Sequence, residues 1–282
     1  MQNRMQTLNE LRAVVEAQLE LLNLSLYVLS QGPVVYKGER FACVLEEERM
    51  RATVAVAMGA GQSLGTILKN SSGTGIGVRD LYPIARAVVE GFINAAFFVT
   101  QPVEVAQRAL KHCAYAAWKH HHRVVGTGEL LFTIGDDPDT KATIRRRFPE
   151  FAGRGQDSWS NLSAPAKIER IGKVVRASGG ALLGAYGGIY AVSSEIIHGS
   201  VYGMSYFMSA SRRGNPDVDE FRASTEEQMV DILSAVSHAA SGYISAVANI
   251  HKFGPLVLDE HELFKRLFKA ATGDDWVGGD PP

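Results

Sequence analysis

The sequence predicts an all-α protein, a multi-helix bundle with long N-terminal helices and a polar cluster buried between two inner helices. Three observations carry that prediction. Apolar residues recur at spacings of three and four along most of the 282 residues, strand-type alternation is nearly absent, and no internal repeat of fixed period occurs. With 46% hydrophobic and 21% charged residues, the chain can build one large core or two modest ones.

Leu8, Leu11, Val15, Leu19, Leu22 and Tyr27 mark a first long helix, and Val44, Met50, Val54, Met58, Leu64, Ile67 and Leu68 a second over residues 39–70. The joint at residues 31–37 contains a Gly-Pro pair that stops a helix and favours extended backbone. Residues 71–77 read as a flexible loop whose Gly-x-Gly lacks the preceding strand a nucleotide fingerprint needs. A third helix covers residues 83–99. Pro102 suits the first turn of a fourth, which reaches about His122 and gives way to a loop over residues 126–139 with Asp-Pro punctuation.

A polar middle over residues 140–160 carries Arg145, Arg146 and Arg147, after which Pro165 opens a helix through Val175. Gly179 and Gly180 read as loop, with helix from Leu182 through His198. Residues 212–219 form another loop. Ser224-Thr225-Glu226-Glu227 then supplies a capping box for a long helix to about His251, and Asp259 with Glu262 repeats the device. Residues 273–282 lack a packing pattern and read as a mobile tail. The expected organisation is an N-terminal helical pair (1–70), a core helical domain carrying the polar cluster (78–272) and the tail (273–282).

Charge and cysteine content narrow the function classes. Lys and Arg total 29 against 30 Asp and Glu, a formal charge of −1, so no global field draws the chain to nucleic acid or to an anionic membrane. Contacts of that kind would need a local patch. Cys43 and Cys113 form no paired motif, which suits a reducing, cytoplasmic setting. The N-terminus is polar and carries no signal-peptide pattern. Residues 177–194 and 232–250 are long and uncharged, yet their glycines, serines, His238 and Asn249 read as core helix rather than membrane span.

The chemistry concentrates on two lines. Between Pro83 and Val99 every position is apolar or glycine except Arg86, Glu90 and Asn94, one polar line down a helix read as buried all round. A buried charge costs several kcal/mol unless partners meet it. Tyr186, Tyr190, Ser194 and His198 make a second line of the same spacing, placed to face the first. Arg86, Glu90, Asn94, Tyr190, Ser194 and His198 are therefore the candidate ligand-binding residues, and His198, Arg86 and Glu90 the candidates for catalysis.

Other motifs carry less. Glu195 and His198 form one Glu-x-x-His pair, but the second pair of a di-iron bundle is missing. His120, His121 and His122, with His112 two turns earlier, sit among Lys111, Lys119 and Arg123, which oppose a cation. No metal and no cofactor are expected. Ser194 with His198 lacks an acid placed by sequence to complete a nucleophile. Arg145–Arg147 with Phe148 and Phe151, and Arg212 with Arg213, are basic patches of the sort that touch phosphate. Gly180, Gly184 and Gly188 form a stripe that would let another backbone approach.

The order Arg86, Glu90, Asn94, then Trp159, a helix over residues 168–175, and Tyr190, Ser194, His198, Gly199 resembles a bacterial helical family catalogued as domain of unknown function number 5677. The resemblance spans about residues 79–206 and supplies no activity. It implies that the two polar lines belong to one site, and it loosely extends to helical domains of toxin and phage-defence systems, some of which cleave RNA without metal. Their Arg-then-His spacing of four to six intervening residues is absent; Arg108 and His112 are one residue too close.

Three functions follow as expectations. The first is a defence-associated binding protein recognising an anionic ligand or nucleic-acid phosphate through the Arg/Glu/His cluster. The second is a metal-independent ribonuclease, in which a histidine titrating near neutrality moves the proton while arginine steadies phosphate. The third is a structural interaction protein without a catalytic site, which admits a homo-oligomer formed through the long terminal helices.

Overall fold

A computed structural model describes residues 2–73, 75, 77–135, 140–207 and 218–278. Arg212, Arg213, the Asp137-Pro138 pair and the last residues, 279–282, lie outside the described residues. The chain is 76% helical, in the all-α class. Its ten described helices run α1 (Gln2–Ser30), α2 (Glu47–Asn70), α3 (Gly77–Thr100), α4 (Val103–His121), α5 (Thr140–Arg147), α6 (Ala164–Val174), α7 (Arg176–Ile197), α8 (Val201–Phe207), α9 (Val218–Ile250) and α10 (Gly254–Thr272). Two antiparallel hairpins interrupt them: β1 (Val34–Tyr36) with β2 (Glu39–Phe41), and β3 (Arg123–Thr127) with β4 (Leu130–Ile134).

α3 and α9 form the centre, with α2, α6 and α7 packed on α3 and α1, α7 and α10 packed on α9. A single apolar cluster runs through all of them, from Leu8 on α1 to Leu267 on α10. On α1 the buried positions include Leu8, Leu11, Val15, Gln18, Leu22, Ser25 and Val28, a period that keeps one face inward. Arginines tie the helix ends to their neighbours. Arg49 donates from Nε to the Phe98 carbonyl at 3.1 Å and from Nη2 to that of Val99, taking up carbonyls left open at the end of α3. Arg12 does the same for the end of α2 through the Ser71 carbonyl at 2.5 Å.

Several expectations are corrected. The second helix starts at Glu47, because Lys37 and Gly38, with φ of 48° and 83°, make a two-residue turn that pairs residues 34–36 with 39–41. Val44 and Met58 are exposed, as is Tyr27 on α1. Residues 126–134, expected as loop, hold most of the second hairpin.

Gly179 and Gly180 are helical, and α7 begins at Arg176. A Cβ on Gly179 would stand 2.4 Å from the Gly172 Cα, so α6 and α7 touch backbone to backbone here. The expected stripe plays no such part: Gly180 has open space around it, and Gly184 and Gly188 make only ordinary contact.

Neither expected capping box caps a helix. Thr225 lies inside α9, where its hydroxyl accepts from the Gly75 amide at 3.1 Å. Asp259 lies inside α10 and accepts from the Tyr36 hydroxyl at 2.7 Å. The tail is partly docked, since Trp276 meets Phe264 and Phe268 with ring centroids 5.2 and 5.1 Å apart.

α1 and α3 are the described helices long and apolar enough to cross a membrane, and both are core elements of the bundle; residues 232–250 lie almost wholly buried in α9.

Candidate functional site

The two polar lines meet at one level. Arg86 Nε donates to Glu90 Oε1 at 2.9 Å and Nη2 donates to the Tyr190 hydroxyl at 3.1 Å. The guanidinium carbon lies 4.2 Å from the Tyr190 ring centre, close enough for cation–π attraction. Tyr186 stacks on Tyr190 with centroids 4.4 Å apart. Burial and the neighbouring Tyr190 raise the Tyr186 hydroxyl above its ordinary value. The buried line of the sequence reading is corrected here, because α3 reaches the surface along this edge. Ala87 is exposed, and the Arg86 and Glu90 side chains keep 19% and 42% of their area in water.

One turn further along α3, Asn94 Oδ1 accepts a hydrogen bond from Lys167 Nζ at 2.8 Å. That amine lies 4.0 Å from the Trp159 ring centre, and Trp159 in turn packs on Phe98 at 5.0 Å. Lys167 is buried, and burial pushes its amine down to about 8, with the Glu90 charge acting in the opposite direction. Lys167 escaped the sequence reading although a signal existed. With Ala164, Ile168 and Ile171 it shares the inward stripe of α6, so a charge stands where an apolar side chain is expected.

The register explains which residues fail to meet. α3 runs alongside α9, with Gly75 at Thr225 and Phe92 at Tyr243, and α7 runs against α9, with Gly184 at His238 and Gly188 at Ala235, so advancing along α3 means retreating along α7. The helices are antiparallel. Ser194 and His198 therefore extend away from Arg86, and at 1.5 Å per residue His198 stands about 12 Å along the axis from the Tyr190 contact. His198 is exposed at the end of α7 and makes no side-chain hydrogen bond with the cluster. The same register carries Arg79, whose Nε is buried without a hydrogen-bond partner, to the level of His198.

The remaining motifs have other partners. Glu195 Oε2 accepts from the Ser200 hydroxyl at 2.5 Å, which occupies the acid of the Glu-x-x-His pair. His112 Nε2 bonds the Asp157 carbonyl at 3.0 Å, and His122 Nδ1 the Trp118 carbonyl at 2.9 Å. Among the described residues no group of three His, Cys, Asp or Glu is arranged to hold a metal ion. Arg145, Arg146 and Arg147 are exposed on α5, with Arg147 over the Phe148 ring at 5.5 Å. Phe151 is buried beneath Arg108.

A second polar group, missed by the sequence reading, lies between α1, α9 and α10. Gln18 Nε2 donates at 3.1 Å both to the Ser237 carbonyl and to Ser241 Oγ, and Ser241 also bonds the Glu260 carboxyl. Burial raises Glu260 to about 7.

Compared with known proteins, the chain matches no family, no curated protein and no solved structure.

Proposed function

We propose that this chain is a helical binding protein whose α3–α6–α7 edge recognises the phosphate of a small anionic ligand or of a nucleic acid. The carrying observation is the charge balance at that edge. Arg86 and Lys167 bring two cations to one carboxylate, Glu90, and aromatic rings flank both. The surplus positive charge sits in a partly dry setting, where attraction for an anion is stronger than in bulk water. Tyr186, Tyr190 and Trp159 offer flat surfaces for a base or another ring beside it. A phage-defence setting and membership of the family that residues 79–206 resemble belong to the same proposal and rest on the sequence resemblance, and a cytoplasmic setting rests on the unpaired Cys43 and Cys113.

A thermal-shift series with inorganic phosphate, nucleotides and short RNA tests it. A rise in Tm that disappears in Arg86→Ala and Lys167→Met supports phosphate recognition. No probe raising Tm, or equal shifts in all three proteins, removes it.

Metal-independent RNA cleavage fits the geometry less well, because it needs Arg86 and His198 on one phosphate and the antiparallel register holds them apart. A structural role has one specific observation in its favour, the occupation of Arg86 Nε and Nη2 by Glu90 and Tyr190. Under that role the substitutions lower Tm and no probe restores it.

A further inference from the structure

We infer that the β3–β4 hairpin is a self-association surface, pairing along β4 with the same strand of a second copy of this chain. All five residues of β3 and the first four of β4 are exposed. Five of these nine are large and apolar: Val124 at 62%, Val125 at 47%, Leu130 at 84%, Leu131 at 60% and Phe132 at 66%. A lone two-stranded hairpin in water is marginal, and a third and fourth strand make such a unit stable. β4 is the edge suited to receive them. It reads Leu-Leu-Phe-Thr-Ile, without the charge or proline by which monomeric proteins blunt an open edge.

Antiparallel pairing about a two-fold axis at Phe132 is self-complementary. Phe132 faces its own counterpart, each Leu130 faces an Ile134, and each Leu131 faces a Thr133. No like charges meet. Only Leu130, Leu131 and Phe132 lie on the paired strand, and at roughly 100 Å² for each they offer at most about 300 Å² per copy, the area of a weak, concentration-dependent contact held chiefly by main-chain hydrogen bonds.

Growth beyond two copies is blocked at the other edge. β3 begins with Arg123, and Gly126, at φ 109°, leaves extended geometry on that edge while keeping its pairing with Leu131. A lipid surface suits the hairpin less well, because Glu129 stands exposed in the turn that would enter first. Lateral pairing leaves that turn in water.

Sedimentation of the full chain over about 1–100 μM tests the inference, in a range where weak homodimers populate both states. The expected result is a concentration-dependent dimer. Phe132→Lys places like charges opposite each other and is expected to weaken the dimer at least tenfold, with unchanged circular dichroism and Tm because no helix covers that position. Leu130→Lys repeats the test at the most exposed residue of the strand. A wild-type chain that stays monomeric to about 100 μM overturns the inference, whether or not it binds anionic vesicles. Folded Phe132→Lys and Leu130→Lys variants that dimerise as tightly as wild type overturn it as well.

Discussion

The Lys167 amine lies 2.8 Å from Asn94 Oδ1 and 4.0 Å from the centre of the Trp159 ring, inside the contact between α3 and α6. Its nearest ionic influence is Glu90, a turn away from Asn94 on the same helix. A cation held by an amide oxygen and a ring face costs stability, and the cost depends on pH. Below about 8 the amine is charged in folded and unfolded chains alike. As pH rises from about 8 toward the ordinary 10.5, the folded chain gives up its proton first and the penalty is relieved. Wild type is therefore expected to gain about 2 kcal/mol relative to Lys167→Met across that window, after allowance for screening. Urea unfolding at pH 7 and pH 10 measures it.

Glu260 has the opposite sign and a lower window. Its carboxyl is protonated in both states below 4.5, and the folded chain keeps the proton up to about 7. Its contribution to stability is thus complete below 4.5 and lost as pH rises through 7. Glu260→Gln keeps the shape and removes the ionisation. The wild type is expected to lose about 3 kcal/mol relative to the variant between pH 4.5 and pH 8. Parallel unfolding curves for the two proteins at both pH values would contradict this.

The α6–α7 contact makes an opposed pair of glycine substitutions. Gly179→Ala drives a methyl group into the Gly172 backbone, and neither chain can turn aside, so a loss of about 1–3 kcal/mol is expected. Gly180→Ala enters open space within the same helix and is expected to stabilise by about 0.5–1 kcal/mol. Thermal unfolding of the two variants reads both signs.

Arg86 and Tyr190 set the strength of the α3–α7 link. Tyr190→Phe removes the hydroxyl acceptor and leaves the ring under the guanidinium, for an expected loss of about 1 kcal/mol. Arg86→Ala strands Glu90, but that carboxylate is 42% exposed and water replaces much of the lost partner. A folded Arg86→Ala protein destabilised by about 1–2 kcal/mol is expected rather than an unfolded one.

Helical periodicity made most of the bundle legible before any coordinates, because inward stripes such as Leu8, Leu11 and Val15 follow directly from the pitch of a helix. The four-residue spacing of Arg86, Glu90 and Asn94 likewise put three polar side chains on one face. Its surroundings were harder to read. Apolar composition made α3 look enclosed, whereas exposure depends on which neighbours arrive, and none covers Ala87. The facing of Arg86 and Tyr190 was legible as a pairing of two lines, but their antiparallel order was not, and that order separates His198 from Arg86.

The hairpins escaped for a different reason. β1–β2 depends on a turn at Lys37-Gly38 that fixes three paired residues, too few to show alternation. β3–β4 is apolar on both faces and shows no alternation to detect. Gly179 was misread because propensity counts glycine against a helix, while the close approach of Gly172 is a tertiary matter.

Titration of inorganic phosphate into the full chain, followed by amide NMR shifts at pH 7 and pH 9.5, tests the proposed edge most directly. Shifts centred on α3, α6 and α7 are expected at pH 7, weakening at pH 9.5 in wild type as Lys167 loses its proton, and absent or pH-independent in Lys167→Met. Shifts elsewhere in the bundle, or the same affinity in Lys167→Met and Arg86→Ala as in wild type, would contradict phosphate recognition by this site.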